Sequence, residues 1–314
     1  MTDFEKSIKY SLTSKNKFID HKFTYDKTGD KLYEELMQND KYYLAKKEIE
    51  IIANNKELIL NSINKNQENF NLIDLGSGSG EKTEILINYF LSKNANFTYL
   101  PVDFSKNSLD KLKKKLMGNY PKLQINPIND DYFKALSLIN KKYKGQKIIV
   151  FFGGNIGNLK NENRITFFKK LNNVLNINDL IINGFDLIKN PKIIVNAYNS
   201  NLFSKCQANI IDILNKKLEL NINKDNFEYF SSYNPISGMV DFNIISKIKQ
   251  NIYIKKIDFI LKLRQWEVIN CGHSKKFTMQ VIEELANISG FKIKETLLDK
   301  EKYYANSIWQ IEKK

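Results

Sequence analysis

Between Asn71 and Thr83 the chain reads Asn-Leu-Ile-Asp-Leu-Gly-Ser-Gly-Ser-Gly-Glu-Lys-Thr. An apolar run, residues 72–75, breaks into glycines at 76, 78 and 80, and a helix-forming segment, residues 82–90, follows. This pattern predicts a buried parallel strand that feeds a tight turn and opens a helix. Glycine is needed where the backbone takes positive φ or must pass close to a ligand. A strand, glycine turn and helix at the carboxyl edge of a parallel sheet is where nucleotides and nucleosides dock.

The spacing of Gly76, Gly78 and Gly80 is not the G-x-G-x-x-G of dinucleotide folds. Nor is it a phosphate loop, because Gly80 is followed by Glu81-Lys82-Thr83. With Asp74 two residues ahead, it resembles motif I of class I S-adenosylmethionine (SAM) methyltransferases. A second acid supports that resemblance. Residues 99–102 read as the next strand, and Asp103 at its end can accept both ribose hydroxyls. Asp103 can also serve as a helix N-cap, since Ser105 and Asn107 follow.

From residue 71 onward strand and helix signals alternate. Short apolar and β-branched runs lie at 72–74, 99–102, 124–128, 147–152 and 180–185. Helical patterns lie between them at 82–92, 108–119, 132–141 and 162–175. Such alternation implies a parallel sheet covered on both faces. A helix at 277–289 then ends at Gly290, and strands follow at 291–298 and 304–311. Two strands joined by so short a loop pair antiparallel. The expected fold is therefore α/β: a seven-stranded, Rossmann-like class I methyltransferase core with an antiparallel C-terminal strand.

Residues 196–274 break the alternation. They carry a helix near 205–218 and strand-like runs at 228–233, 239–245, 251–254 and 258–263. An insertion of that size reads as a mixed α+β lid. The expected division is a core of 46–195 and 275–314, with 1–45 and 196–274 forming a substrate-binding lid domain.

Composition narrows the function classes. The net charge of +14 invites a nucleic-acid hypothesis, yet of 49 basic residues only Arg164 and Arg264 are arginine. Arginine is the preferred residue for phosphate forks and base edges. The lysines are spread along the whole chain, which reads as a solvated surface, so no nucleic-acid partner is expected. No apolar run approaches the ~20 residues that cross a bilayer. The opening Met1-Thr-Asp-Phe-Glu-Lys lacks the apolar region of a signal peptide. Two cysteines and two histidines leave no zinc-ligand spacing, so no metal is expected. A cytoplasmic monomer with no membrane partner is the expectation.

Several stretches occur together in order: Tyr25-Asp-Lys-Thr-Gly-Asp-Lys-Leu-Tyr-Glu-Glu35, Tyr42-Tyr-Leu-Ala-Lys-Lys-Glu48, Leu75-Gly-Ser-Gly-Ser-Gly-Glu-Lys82, Phe151-Phe-Gly-Gly-Asn-Ile-Gly-Asn158, Gly184-Phe-Asp-Leu-Ile-Lys189 and Ala197-Tyr198. Their order and spacing over residues 20–200 resemble the histidine Nα-methyltransferases of ergothioneine biosynthesis. The resemblance implies a SAM-dependent transfer to the α-amino group of a free amino acid, with histidine as the leading substrate and a betaine as product. It implies that Gly76, Gly78, Gly80 and Lys82 hold the methionine and ribose part of SAM, and that Asp103 takes the ribose. Asp130 or Asp131 would contact the adenine edge. Asn158 would bind the substrate's α-amino and carboxylate groups, Tyr198 would hold the carboxylate, and Tyr25 and Tyr42 would line the amine side. Each has a plainer alternative: Asn158 as a turn residue or the cap of the helix near Glu162, the tyrosines as core aromatics.

One departure stands out. The family places a glutamate, and two residues on a serine, before the last helix to recognise imidazole. Ser274 matches the serine, but Gly272 stands where the glutamate should be. Glu267 is the nearest acid. His273 either points into the pocket as a polar contact or sits in an exposed loop. A pocket that lacks a hydrogen-bonding partner discriminates weakly. The alternative substrate is therefore another amino acid, an aromatic one included, or a small amine; a nucleic-acid-directed or non-catalytic SAM-binding protein is the remaining alternative.

Overall fold

A computed structural model of the chain describes residues 1–20, 23, 26–63 and 69–311. In chain order the strands are β1 (Phe70–Leu75), β2 (Phe97–Val102), β3 (Gln124–Ile125), β4 (Gln146–Phe151), β5 (Leu180–Asp186), β6 (Phe227–Asn234), β7 (Met239–Ser246), β8 (Gln250–Ile254), β9 (Phe259–Leu263), β10 (Val268–Lys275), β11 (Phe291–Leu298) and β12 (Tyr304–Ile311). The described residues fall into two compact units, 44–187 with 277–314, and 1–43 with 188–276.

The first unit is built on a seven-stranded sheet of order β11-β12-β5-β4-β1-β2-β3. The strands β3, β2, β1, β4 and β5 run parallel. The last strand, β12, pairs antiparallel with both β5 and β11, so the chain's final hairpin inserts its second arm beside β5. The expected seven-stranded core with its antiparallel end is therefore present. All six residues of β1, and all six of β4, are buried, as a strand covered on both faces requires. That is why they read as mostly apolar runs without a strict alternation, with Asn71, Asp74, Gln146 and Lys147 as buried polar exceptions.

One face of the sheet packs against the helices Tyr132–Lys142, Asn161–Val174 and Met279–Ile288. Leu136 and Ile139, Phe168 and Leu171, and Ile282 and Leu285 each recur one turn apart and meet Ile73, Ile149, Ile181, Phe185 and Trp309 in one core. Each such large side chain, taken wholly from water, stabilises the fold by about 1.5–3 kcal/mol. The order of connections reverses at β1 and β4, and the crevice beyond the carboxyl ends of those strands is the switch point of the sheet. The strand over 124–128 is shorter than expected: β3 keeps two residues ahead of Asn126-Pro127, and Ile128 makes a single bridge to Val102.

The second unit has its own core, in which Ile8, Leu12, Ile210, Leu214, Phe227, Ile244 and Ile269 are all buried. Its sheets are antiparallel: β10-β7-β6, and the hairpin β8-β9. The helices Lys27–Gln38 and Asn201–Leu218 pack together, and Asp26 both caps the first of them and accepts from Asn209 Nδ2 at 2.9 Å. Sequence periodicity did not reveal β10. Its burial alternates, but the glycine within it interrupts the pattern. No helix among the described residues is long and apolar enough to cross a membrane.

Candidate functional site

The glycine turn follows β1, with φ of +77° at Gly76, +51° at Gly78 and +68° at Gly80. Its flanking positions are glycine for packing: a Cβ on Gly76 would lie 2.9 Å from Tyr132 Oη, and one on Gly80 would collide with Leu112. Gly78 differs. No atom lies within 4 Å of its missing Cβ, so the middle of the turn faces open space. Positive φ with an open face is the local geometry for close approach of a ligand to backbone.

Asp74 locks the turn from beneath. Its wholly buried carboxylate accepts from Thr83 Oγ1 at 2.6 Å and Tyr99 Oη at 2.9 Å. Burial pushes its pKa up to about 6, against the pull of those two hydrogen bonds. Asp103 completes the turn: Oδ2 accepts from the Gly78 N–H at 3.0 Å and Oδ1 from the Ser105 N–H at 2.9 Å. The expected alternative for Asp103 is corrected here. The N-cap of the helix Lys106–Asn119 is Ser105, whose hydroxyl accepts from the Ser108 N–H. Asp103 is half-buried and retains lone pairs beyond these two bonds.

Asp130 is exposed. Asp131 caps the helix Tyr132–Lys142, with Oδ1 accepting from the Phe133 and Lys134 N–H groups at 3.0 Å. Those bonds and the Lys134 ammonium hold the Asp131 carboxyl below its ordinary pKa. Beside them the exposed Phe104 ring meets Tyr132 at 5.9 Å.

Lys82 Nζ lies 2.7 Å from Glu48 Oε2, and the same oxygen accepts from the Gly153 N–H at 2.8 Å. Beyond β4, Gly153 and Gly154 take φ of +88° and +66° and open a short 3₁₀ turn, Asn155–Asn158. Arg164 pins this turn. Its Nε donates to Ile156 O at 3.1 Å, its Nη2 donates to Leu159 O at 2.7 Å, and its guanidinium lies 5.0 Å from the Phe277 ring. Burial lowers the Arg164 pKa to about 10. Asn158 is thus a turn residue; the cap of the helix Asn161–Val174 is Lys160, which corrects the capping alternative. Among the described residues the half-buried Asn158 side chain makes no hydrogen bond, which leaves its amide available.

In the second unit Tyr198, Ser274 and Lys276 converge. Lys276 Nζ donates to Tyr198 Oη and to Ser274 Oγ, both at 2.7 Å, and Tyr198 Oη donates to Ser274 Oγ at 3.2 Å. Tyr42 meets Tyr198 edge-on with ring centres 5.6 Å apart, and Phe203 and Phe242 complete the aromatic wall. Tyr25 lies outside the described residues.

Gly272 interrupts β10. The register with β7 shifts between Asn270 and His273, and Gly272 takes φ of +128°. The Asn270 side chain clasps this bulge, accepting from the Gly272 N–H at 3.1 Å and donating to its carbonyl at 3.3 Å. His273 is half-buried opposite Asp241. It is a strand residue, which corrects the exposed-loop alternative; as neighbours on a strand, His273 and Ser274 point to opposite faces, so His273 points away from the Tyr198 cluster. Glu267 does not substitute for the missing glutamate. It is held by Lys17 at 2.6 Å and by the Arg264 N–H, which drop its pKa to about 2. Six strand residues, roughly 20 Å, lie between it and Ser274.

Sequence reasoning missed Glu48, Arg164 and Lys276. Glu48 lay within a quoted motif, and Arg164 is one of only two arginines. Lys276 carried no signal in so lysine-rich a chain.

The donor set in the first unit fits SAM: an open positive-φ turn, a carboxylate with spare lone pairs at Asp103, and a cation at Lys82. Residues 4–311 match the family described as histidine-specific, SAM-dependent methyltransferases. The chain is 24% identical over 284 residues to the histidine N-alpha-methyltransferase of Mycolicibacterium smegmatis, covering 90% of this chain and 87% of that one. It is 24% identical to the enzyme of the same name from Mycobacterium tuberculosis, covering 85% and 82%. Ergothioneine biosynthesis protein 1 of Schizosaccharomyces pombe is 22% identical over 86% of this chain, which spans only 36% of that longer protein.

Proposed function

The chain belongs to the SAM-dependent, histidine-specific methyltransferase family, and from that premise we propose that it methylates the α-amino nitrogen of free histidine. The single observation that carries this reading is the family match across residues 4–311, which includes the glycine turn, the Asn158 turn and the Tyr198 cluster.

SAM supplies an electrophilic methyl group on a sulfonium. The chain's task is to hold an amine lone pair in line with it, and positioning of that kind can supply about 7–11 kcal/mol of the barrier. The amine must be neutral to react. Asn158 and the tyrosine hydroxyls can orient an amine by neutral hydrogen bonds, without an ion pair that would raise its pKa. In this reading Gly76, Gly78, Gly80, Lys82, Asp103 and either Asp130 or Asp131 hold the donor. Asn158 orients the amine, and Tyr198 takes the carboxylate with Lys276 behind it. Ser274 meets the substrate side chain.

One observation favours a second substrate. The backbone at Gly272 has a conformation that side chains rarely adopt, so position 272 is unsuited by fold as well as by sequence to carry the carboxylate partner of an imidazole. An aromatic amino acid needs no such partner. Incubating the protein with SAM and each of the twenty amino acids, with products resolved by mass spectrometry, separates the two. Methylated histidine as the main product supports the proposal. Methylation of an aromatic amino acid in preference to histidine moves it to the second reading, and no product from any amino acid refutes both.

A further inference from the structure

Glu48 lies in the stretch Tyr42-Tyr-Leu-Ala-Lys-Lys-Glu48, and the roles proposed above leave it unused. Its carboxylate is wholly buried. Oε2 bridges Lys82 Nζ and the Gly153 N–H, joining the helix after the glycine turn to the loop after β4. Oε1 is buried as well and, among the described residues, has no hydrogen-bond partner. It faces Gly184 on β5, where a Cβ would overlap it. A carboxylate oxygen removed from water and left without a donor is costly, so a ligand donor at this position is favoured.

The chemistry of the pair narrows the donor. Lys82 alone would attract any anion. Lys82 and Glu48 together form a fixed pair of opposite charges, whose complement is another adjacent pair of opposite charges. The α-carboxylate and α-ammonium of an amino acid are such a pair, and the methionine part of SAM carries them. We propose that Glu48 is a cofactor-binding residue: Oε1 accepts from the α-ammonium of SAM while Oε2 holds Lys82 for the α-carboxylate. This rests on the glycine turn being the SAM site. The buried pair then selects donors with an intact amino-acid head.

The test is a cycle of two proteins and two ligands, read by calorimetric titration. The ligands are S-adenosylhomocysteine and its analogue with hydrogen in place of the α-amino group. The proteins are the wild-type chain and Glu48→Gln. Wild type is expected to bind the analogue at least tenfold more weakly than S-adenosylhomocysteine, and Glu48→Gln is expected to bind the two within about twofold of each other. Equal affinity of wild type for both ligands overturns the proposal. So does a variant that weakens both by the same factor, the behaviour of a carboxylate that only holds Lys82 and Gly153 in place. If Glu48→Gln does not fold, Glu48→Asp carries the same cycle. A wild-type chain that binds no S-adenosylhomocysteine removes the SAM site and this proposal together; unchanged binding in Glu48→Gln removes the proposal alone.

Discussion

Lys276 donates to the Tyr198 hydroxyl at 2.7 Å, and at 0% and 2% exposure both side chains are shut off from water. The same ammonium donates to Ser274, so one cation sets the direction of two hydroxyls. Lys276 fills an acceptor site on each oxygen, and Tyr198 gives its one proton to Ser274 at 3.2 Å. A substrate carboxylate at Tyr198 would take that long hydrogen bond over from Ser274, on a hydroxyl already polarised by the ammonium.

Replacing Lys276 by methionine keeps most of the volume and removes the charge. The expected result is a KM for the amino-acid substrate raised about tenfold or more, with loss of a charge-assisted hydrogen bond contributing about 1.5–3 kcal/mol. Affinity for S-adenosylhomocysteine should hold within about threefold, since the hydrogen bonds lost lie outside the proposed donor site. Steady-state kinetics and a parallel ligand titration check the two halves. A KM that stays at the wild-type value counts against Tyr198 as the carboxylate residue.

Asn158→Ala should lower kcat by about 100-fold or more, the scale of losing an orienting group, while S-adenosylhomocysteine still binds. The turn itself should survive, because Arg164 holds it through Ile156 O and Leu159 O rather than through Asn158. Activity that persists in this variant places the amine elsewhere.

Gly272 has φ of +128°, and any side chain there strains the backbone. Gly272→Ala should lower the unfolding free energy by about 1–3 kcal/mol, measured by urea titration. Gly272→Glu should pay the same penalty and so should not simply restore the family's imidazole contact. A Gly272→Glu variant as stable as wild type, with tighter histidine binding, would show that the bulge yields easily.

Asp74 supplies a pH dependence of stability. Burial raises its carboxyl from 3.8 to about 6 in the folded chain. The native state therefore holds a proton that the unfolded state releases first. Its contribution is fully present below 3.8 and is lost as pH rises through about 6, a change on the order of 3 kcal/mol. The stability of wild type relative to Asp74→Asn should fall by about 2–3 kcal/mol between pH 4 and pH 7. Parallel curves for the two proteins would show that Asp74 is ionised throughout.

The core was legible because its signals are local. Buried strands such as β1 and β4 show as apolar runs, helices as one-turn repeats such as Phe168 with Leu171, and the turn as glycines at 76, 78 and 80. The candidate site was legible where the chain brings its chemistry to a strand end, as at Asp103 and Asn158. It was not legible where a role depends on a partner distant in sequence. Ser105 rather than Asp103 caps its helix, a difference of local geometry that residue type alone does not settle. Glu267 looked like the nearest acid, yet Lys17, far along the chain, takes its carboxylate.

By itself the amino-acid order determined the alternation of strands and helices from β1 to β5, the antiparallel end of the sheet, and the chemistry available at its carboxyl edge. Hydrophobic period and glycine conformation act over a few residues, so they can be read along a line. Only the tertiary structure decided that Lys276 is buried while Lys275 beside it is only half so, that Glu48 meets Lys82, and that Gly272 sits in a bulge. Burial and charge pairing depend on which distant segments close over a side chain, and that is a property of the packed chain.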